Sequence, residues 1–230
     1  MEECCLDVDA VIKPEPDEIF DVELEEDILE ANRKLADENA KTLLKYGIRS
    51  FDIMGSVGSG KTSLIERLVQ MLKGKYRVAA IGGDAATTID AERIGKHGAK
   101  VLQINTGKEC HLDANLVKKA LTRLDLGNID VLFIENVGNL ICPADFPLGC
   151  EKRIVVISVS EGEHMVVKHP YIFAEADLAI INKIDLAPIM NVDPIKIEKD
   201  IHTIKPSLKV VKTSCKTGEG VEDVVKAIGL

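Results

Sequence analysis

Residues 48–73, IRSFDIMGSVGSGKTSLIERLVQMLK, decide the fold. The first half, IRSFDIM, is a short apolar run with strand character. The last half, SLIERLVQMLK, places Leu64, Ile65, Leu68, Val69 and Leu72 at helical spacing. Between them Gly55, Gly60, Lys61 and Thr62 satisfy G-x-x-x-x-G-K-[ST], in the strand–loop–helix setting this phosphate-binding motif requires. Glycines let successive backbone N–H groups curl around a β-phosphate, which a helix N-terminus also favours. Gly55, Val57, Gly58, Ser59, Gly60, Lys61, Thr62 and Ser63 therefore form the candidate phosphate cradle. Lys61 is placed to reach the β- and γ-phosphates, and the Thr62 hydroxyl to hold Mg²⁺.

The same alternation runs outward from this unit. Upstream, residues 23–45 have a helical pattern ended by Gly47. Downstream, KYRVAAIGG, AKVLQIN, DVLFIEN, KRIVVISVS, DLAIINK and LKVVKTS read as strands. Helical patterns sit in IDAERIGKHG, DANLVKKALTRLD, PIKIEKDIHTIK and VEDVVKAI. Strands this rich in Val and Ile are buried on both faces, so the expectation is an α/β, Rossmann-like P-loop NTPase fold: a mostly parallel sheet with helices on both faces. Ligands in such sheets bind at the carboxyl ends of the strands.

The base is read from two later stretches. Asn182, Lys183 and Asp185 form N-K-x-D after the strand DLAII. The Asp185 carboxylate can accept from guanine N1–H and from the exocyclic amine. Adenine offers neither donor and would leave the carboxylate unpaired. Lys183 can lay its stem along the base. Ser214, Cys215 and Lys216 follow the next strand and resemble an S-A-K loop, with Cys215 in the alanine position, whose N–H meets guanine O6. GTP is the nucleotide this pair selects.

The hydrolytic residues are less orthodox. Glu135 and Gly138 end the strand DVLFI as E-x-x-G. Glu135 would hold Mg²⁺, and the Gly138 N–H would meet the γ-phosphate and sense its loss. Asp84 and Asp90 follow another strand end, and one of them completes the magnesium shell or positions the attacking water; for Asp90 a helix N-cap is the alternative. Lys61, Asp90 and Glu135 are the candidate catalytic residues. No water-orienting glutamine or arginine finger is evident, so slow intrinsic turnover is expected.

A second chemistry lies in GKECHLDA, residues 107–114, where Cys110 and His111 are adjacent. Cys142 follows Gly138 by four residues. A thiolate, an imidazole and a second thiolate suit zinc or nickel, with a fourth ligand from water or from a second copy across a two-fold axis. Buried apolar cysteines, with His111 capping the next helix, are the alternative. Lys168 could reach a nucleotide across such a dimer, or be a solvated lysine.

Taken together, GSVGSGKT, NTGKECHLDA, IENVGNLICPADFPLG and NKIDL resemble the hydrogenase nickel-incorporation GTPases, over about residues 25–228. The resemblance implies a GTP-hydrolysing metallochaperone with nickel or zinc on Cys110, His111 and Cys142 at a dimer interface. It implies GTP-dependent homodimerisation, and partners among the hydrogenase large subunit and other nickel-maturation proteins. The tail lacks the histidine-rich stretch and the C-x-x-C-G-C motif of some relatives and has only Cys4 and Cys5. The urease-type nickel GTPase is the alternative within the class, but it carries Cys-Pro-His where this chain has Cys142-Pro143-Ala144. A regulatory GTPase with a structural metal site is the alternative outside it.

Composition bounds the rest. Thirteen acidic residues against Lys13 alone mark residues 1–30, and 1–22 read as an acidic flexible tail before a single GTPase domain at 23–230. The formal charge of −9 argues against a nucleic-acid partner. No apolar run is long enough to span a membrane. Six irregularly spaced cysteines suit a reducing cytoplasm better than a disulfide framework.

Overall fold

The computed structural model describes residues 22–84 and 88–230; the acidic segment with Cys4 and Cys5 lies outside them, apart from Val22. Seven strands form one sheet: β1 (Arg49–Met54), β2 (Val78–Asp84), β3 (Lys100–Asn105), β4 (Val131–Glu135), β5 (Lys152–Ser158), β6 (Leu178–Asn182) and β7 (Lys209–Lys212). Their order is β3-β2-β4-β1-β5-β6-β7. Every neighbouring pair is parallel, so the sheet expected to be mostly parallel is parallel throughout. β1 is central, and the phosphate loop leaves its carboxyl end.

The helices are α1 (Val22–Lys45), α2 (Lys61–Leu72), α3 (Ile89–Gly95), α4 (Ala114–Leu121), α5 (Met165–Lys168), α6 (Pro170–Ala174), α7 (Ala187–Met190), α8 (Pro194–Ile204) and α9 (Val221–Ile228). Alternation along the strands assigns them to faces. Phe51, Ile53, Phe133 and Ile154 point to one side, where Leu64 and Leu68 of α2, Ile94 of α3 and Val224 of α9 cover them. Leu132 and Ile134 point to the other and meet Leu43 of α1 and Val117 of α4. On that same face, Val155 and Ile157 meet Phe173 of α6 and Ile201 of α8.

Local chemistry sets the helix ends. Asp113 accepts from Leu116 N–H at 2.7 Å and caps α4. Asp193 does the same for Ile195 before Pro194 opens α8. These caps each satisfy a donor left open at a helix start. At α3 the N-cap position is Thr88, not Asp90, so the capping alternative for Asp90 is not what the chain uses. The capping alternative for His111 also gives way, because Asp113 fills that role.

α1 does more than cover the sheet. Its Asn39 Nδ2 donates to Ala114 O (2.8 Å) and Leu148 O (3.1 Å). Its Asn32 accepts from Ala114 N–H (2.8 Å) and donates to Pro147 O (2.9 Å). A Cβ on Gly149 would sit 2.2 Å from Ala36 O, so only glycine lets this loop meet the helix backbone. Two buried amides thus pin the loops that flank Cys110 and Cys142.

Candidate functional site

The phosphate loop is shaped by close approaches only glycine permits. A Cβ on Gly55 would lie 2.1 Å from Val156 O, and one on Gly60 would lie 2.2 Å from Asn182 Nδ2. Lys61 is buried, and its ammonium donates to Gly55 O (3.1 Å) and Ser56 O (3.0 Å). Burial lowers its pKa, while Glu135 and Asp90 pull the other way. A cavity of about 520 Å³ opens above the loop, lined by Lys61, Thr62, Asp84, Asp90, Glu135 and Gly138 among others.

Thr62 Oγ1 donates to Glu135 Oε1 at 2.7 Å. Glu135 Oε2 is buried without a hydrogen-bond partner. Burial pushes this carboxyl up to about 7, with Lys61 and Thr62 opposing. A hydroxyl and a carboxylate with an unused oxygen are hard ligands suited to Mg²⁺, so the donor set fits that ion. Asp90 lines the same cavity and pairs with Arg93 at 3.3 Å. Arg93 is held in turn by Glu66 at 2.8 Å.

A second cavity, of about 570 Å³, is lined by Asn182, Lys183, Asp185, Cys215 and Lys216, the base-reading residues of the sequence. Ser214 Oγ donates to Asp185 Oδ1 (2.6 Å), which fixes the carboxylate. The Asn182 amide braces the loops around the cavity: it donates to Ser59 O (2.9 Å) and accepts from Thr213 Oγ1 (3.1 Å) and Cys215 N–H (3.2 Å). Lys183, which lines both cavities, donates to Gly58 O at 2.6 Å. Burial raises the Cys215 thiol to about 11. Arg67 of α2 went unread in the sequence. It donates to Cys215 O (2.8 Å) and Lys216 O (2.9 Å) and so ties the S-C-K loop to the phosphate-loop helix.

The ligating atoms of Cys110, His111 and Cys142 lie within 4.8 Å of one another. The two sulfurs are 3.0 Å apart, and His111 Nδ1 is 3.8 Å from the Cys110 sulfur. His111 packs against Phe146 in a tilted ring contact, with centroids 4.0 Å apart. Burial lowers its pKa, which favours the neutral imidazole a metal requires. The Cys142 sulfur and partial burial hold the Cys110 thiol above its usual value. Phe146 lies within the quoted stretch ICPADF, but a ring contact across 35 residues leaves no local signature.

Asn139 links the Cys110 loop to the phosphate loop. Asn139 N–H donates to Gly55 O (3.0 Å), and its Nδ2 donates to Cys110 O (3.3 Å). A Cβ on Gly138 would lie 2.4 Å from Val57 Cγ2 and 2.9 Å from Val57 N. Lys168 is exposed at the end of α5.

An all-parallel sheet with a phosphate loop leaving its central strand defines the P-loop NTPase class. The family model described as "CobW/HypB/UreG, nucleotide-binding domain" matches residues 50–212, and the chain belongs to that family. It is 56% identical to the probable hydrogenase maturation factor HypB of Methanocaldococcus jannaschii, across 90% of this chain and 94% of that one. The crystal structure of the hydrogenase maturation factor HypB from Archaeoglobus fulgidus superposes with a TM-score of 0.80 at 43% identity, covering 86% and 96% of the two chains. HypB from Helicobacter pylori in complex with nickel superposes at 0.81 and 36% identity, covering 85% and 92%. The resemblance drawn from the motifs is borne out at the level of the family. Among the described residues no helix is long and apolar enough to cross a membrane.

Proposed function

We propose that this chain is a GTP-hydrolysing metallochaperone that takes nickel, or zinc, on Cys110, His111 and Cys142 and helps deliver nickel to the active site of a [NiFe]-hydrogenase. The observation that carries this reading is the contact between the two sites. The segment bearing Cys142 starts at Gly138, packed on Val57, and Asn139 bonds both Gly55 O and Cys110 O. The kinship with hydrogenase maturation factors and with a nickel-complexed structure supports the cargo.

The chain's own groups divide the work. Lys61 leaves the loop carbonyls to meet the β- and γ-phosphates. Asp185, set by Ser214, accepts from guanine, with Lys183 along the base and the Ser214–Lys216 loop beside O6. Thr62 and Glu135 would hold Mg²⁺, with Asp90 facing them. When bound, the ion supplies positive charge against the phosphate oxygens. Arg93 is engaged by Glu66 and Asp90, so it is not free to serve as a finger, and intrinsic turnover is slow. Gly138 meets the γ-phosphate through its N–H. Loss of that phosphate releases the segment, moves Cys142 and loosens the metal. Three ligands leave one position for water or for a thiolate of a second copy, which makes a GTP-dependent homodimer part of the proposal.

The test is a nickel titration with light scattering, in GDP and in a non-hydrolysable GTP analogue with Mg²⁺. Nickel affinity or dimerisation should change with nucleotide, and Cys142→Ala should abolish the change. Identical nickel binding in both states would overturn the coupling.

A further inference from the structure

Behind the thiol–imidazole cluster lies a carboxylate with no role in nucleotide binding. Asp52 sits on β1, fully buried, and shares its sheet face with Met54. Its Oδ1 accepts from Asn136 Nδ2 at 3.1 Å. The same Asn136 accepts through Oδ1 from Leu112 N–H (3.0 Å), next to His111, and from Val137 N–H (3.0 Å). On its other side Asp52 Oδ2 lies 4.0 Å from Arg153 Nε. Arg153 donates through Nη2 to Ala144 O (3.0 Å) and to Pro143 O, in the turn that starts at Cys142. One buried carboxylate therefore reaches the Cys110–His111 loop through an amide and the Cys142 loop through a guanidinium.

We propose that Asp52 is the positioning residue of the metal site, holding the Cys110–His111 and Cys142 loops at ligating separation through Asn136 and Arg153. The inference rests on the metal-delivery reading and adds to it the element that sets the geometry. Asn32 and Asn39 of α1 hold these loops at Ala114, Pro147 and Leu148, beyond the ligands, whereas Asn136 and Arg153 act at Leu112 and at Pro143–Ala144, next to them. Ligands held by outer partners lose metal affinity when the partner is removed. The arrangement does not serve stability. Burial pushes the Asp52 carboxyl up to about 6, so ionising it at neutral pH carries a cost. Its Oδ2 and the Arg153 Nε have no hydrogen-bond partner, which leaves the pair too far apart for a bonded bridge and held by charge alone.

The experiment compares wild type, Asp52→Asn and Arg153→Gln in three measurements. Nickel affinity and the thiolate-to-nickel charge-transfer band read the metal site. Capture of phenylarsine oxide, which bridges two neighbouring thiols, reads the Cys110–Cys142 separation without nickel when all proteins carry Cys4→Ser and Cys5→Ser. GDP affinity reads the nucleotide site. Asp52→Asn should lose about 10- to 100-fold in nickel affinity, shift the band and weaken arsenical capture, with GDP affinity unchanged. Arg153→Gln should do the same, and the double variant should lose less than the sum of the two. Unchanged nickel and arsenical binding in Asp52→Asn overturns the proposal, and so does a parallel loss of GDP affinity, which would mark a general structural role. If wild type binds no nickel, or Cys142→Ala leaves nickel affinity intact, the delivery reading fails, and arsenical capture alone decides the role of Asp52.

Discussion

The Cys110 sulfur lies 3.0 Å from the Cys142 sulfur, although 32 residues separate them in the chain. One thiol follows β3 and the other follows β4, and β2 lies between those strands in the sheet. The loop after β3 must therefore cross β2 to bring the pair together. Such a pair beside a neutral imidazole is a ligand set for a borderline metal. Cys110→Ser and Cys142→Ala should each lower nickel affinity by more than the roughly 10- to 100-fold typical of an outer-shell loss, with GDP affinity unchanged. Competition against a chelating dye measures both. A variant that still holds nickel like wild type would remove that cysteine from the site.

Base choice should follow one carboxylate. Asp185 is oriented by Ser214 at 2.6 Å and lines the larger cavity. Asp185→Asn replaces an acceptor pair with one acceptor and one donor. Affinity for GTP should fall, and affinity for XTP, whose base carries a carbonyl where guanine has its amine, should rise. A site built around such a bond discriminates by about 10⁴-fold or more, so the inversion should be large in displacement assays with a fluorescent nucleotide. Ser214→Ala should weaken GTP in the same direction and by less.

Gly138 packs where no side chain fits, 2.4 Å from Val57 Cγ2 for a notional Cβ. Gly138→Ala forces the segment off the phosphate loop. Nickel should still bind, because Cys110, His111 and Cys142 are untouched, but its affinity should no longer differ between GDP and the GTP analogue. Isothermal titration in the two nucleotide states checks this. A retained difference would mean that another path couples the sites, and Asn139, whose side-chain amide donates to Cys110 O, would be the first to vary.

The sheet was legible because its strands are runs of Val and Ile that alternate with helical patterns. The first helix, expected at 23–45, is Val22–Lys45. The short helices α5, α6 and α7 were not read, since four or five residues carry no period. The ligands themselves were legible as residue types at strand ends, while their supports were not. Phe146, Arg67, Asn136 and Arg153 act through contacts across the fold, and an asparagine or arginine in a loop is ordinary in sequence. Asn182 was legible as part of N-K-x-D, but the bonds its amide makes to Ser59 and Thr213, which join the phosphate loop to the segment after β7, were not.

The pH dependence of stability should expose the cost of Asp52. Its folded carboxyl titrates near 6, raised by burial against the opposing pull of Arg153 and Asn136, while an unfolded aspartate titrates at about 3.9. The folded state thus holds the proton more tightly. The stabilising contribution is complete below the unfolded value and is lost as pH rises through the folded one. Asp52→Asn does not titrate, so its stability relative to wild type should improve as pH rises. Between pH 5 and pH 8 the relative gain should be about 1 to 2 kcal/mol. Urea unfolding of both proteins across that range measures it. A flat difference would mean that Arg153 keeps the carboxylate ionised throughout, and Asp52 would then hold the metal loops at no cost to the fold.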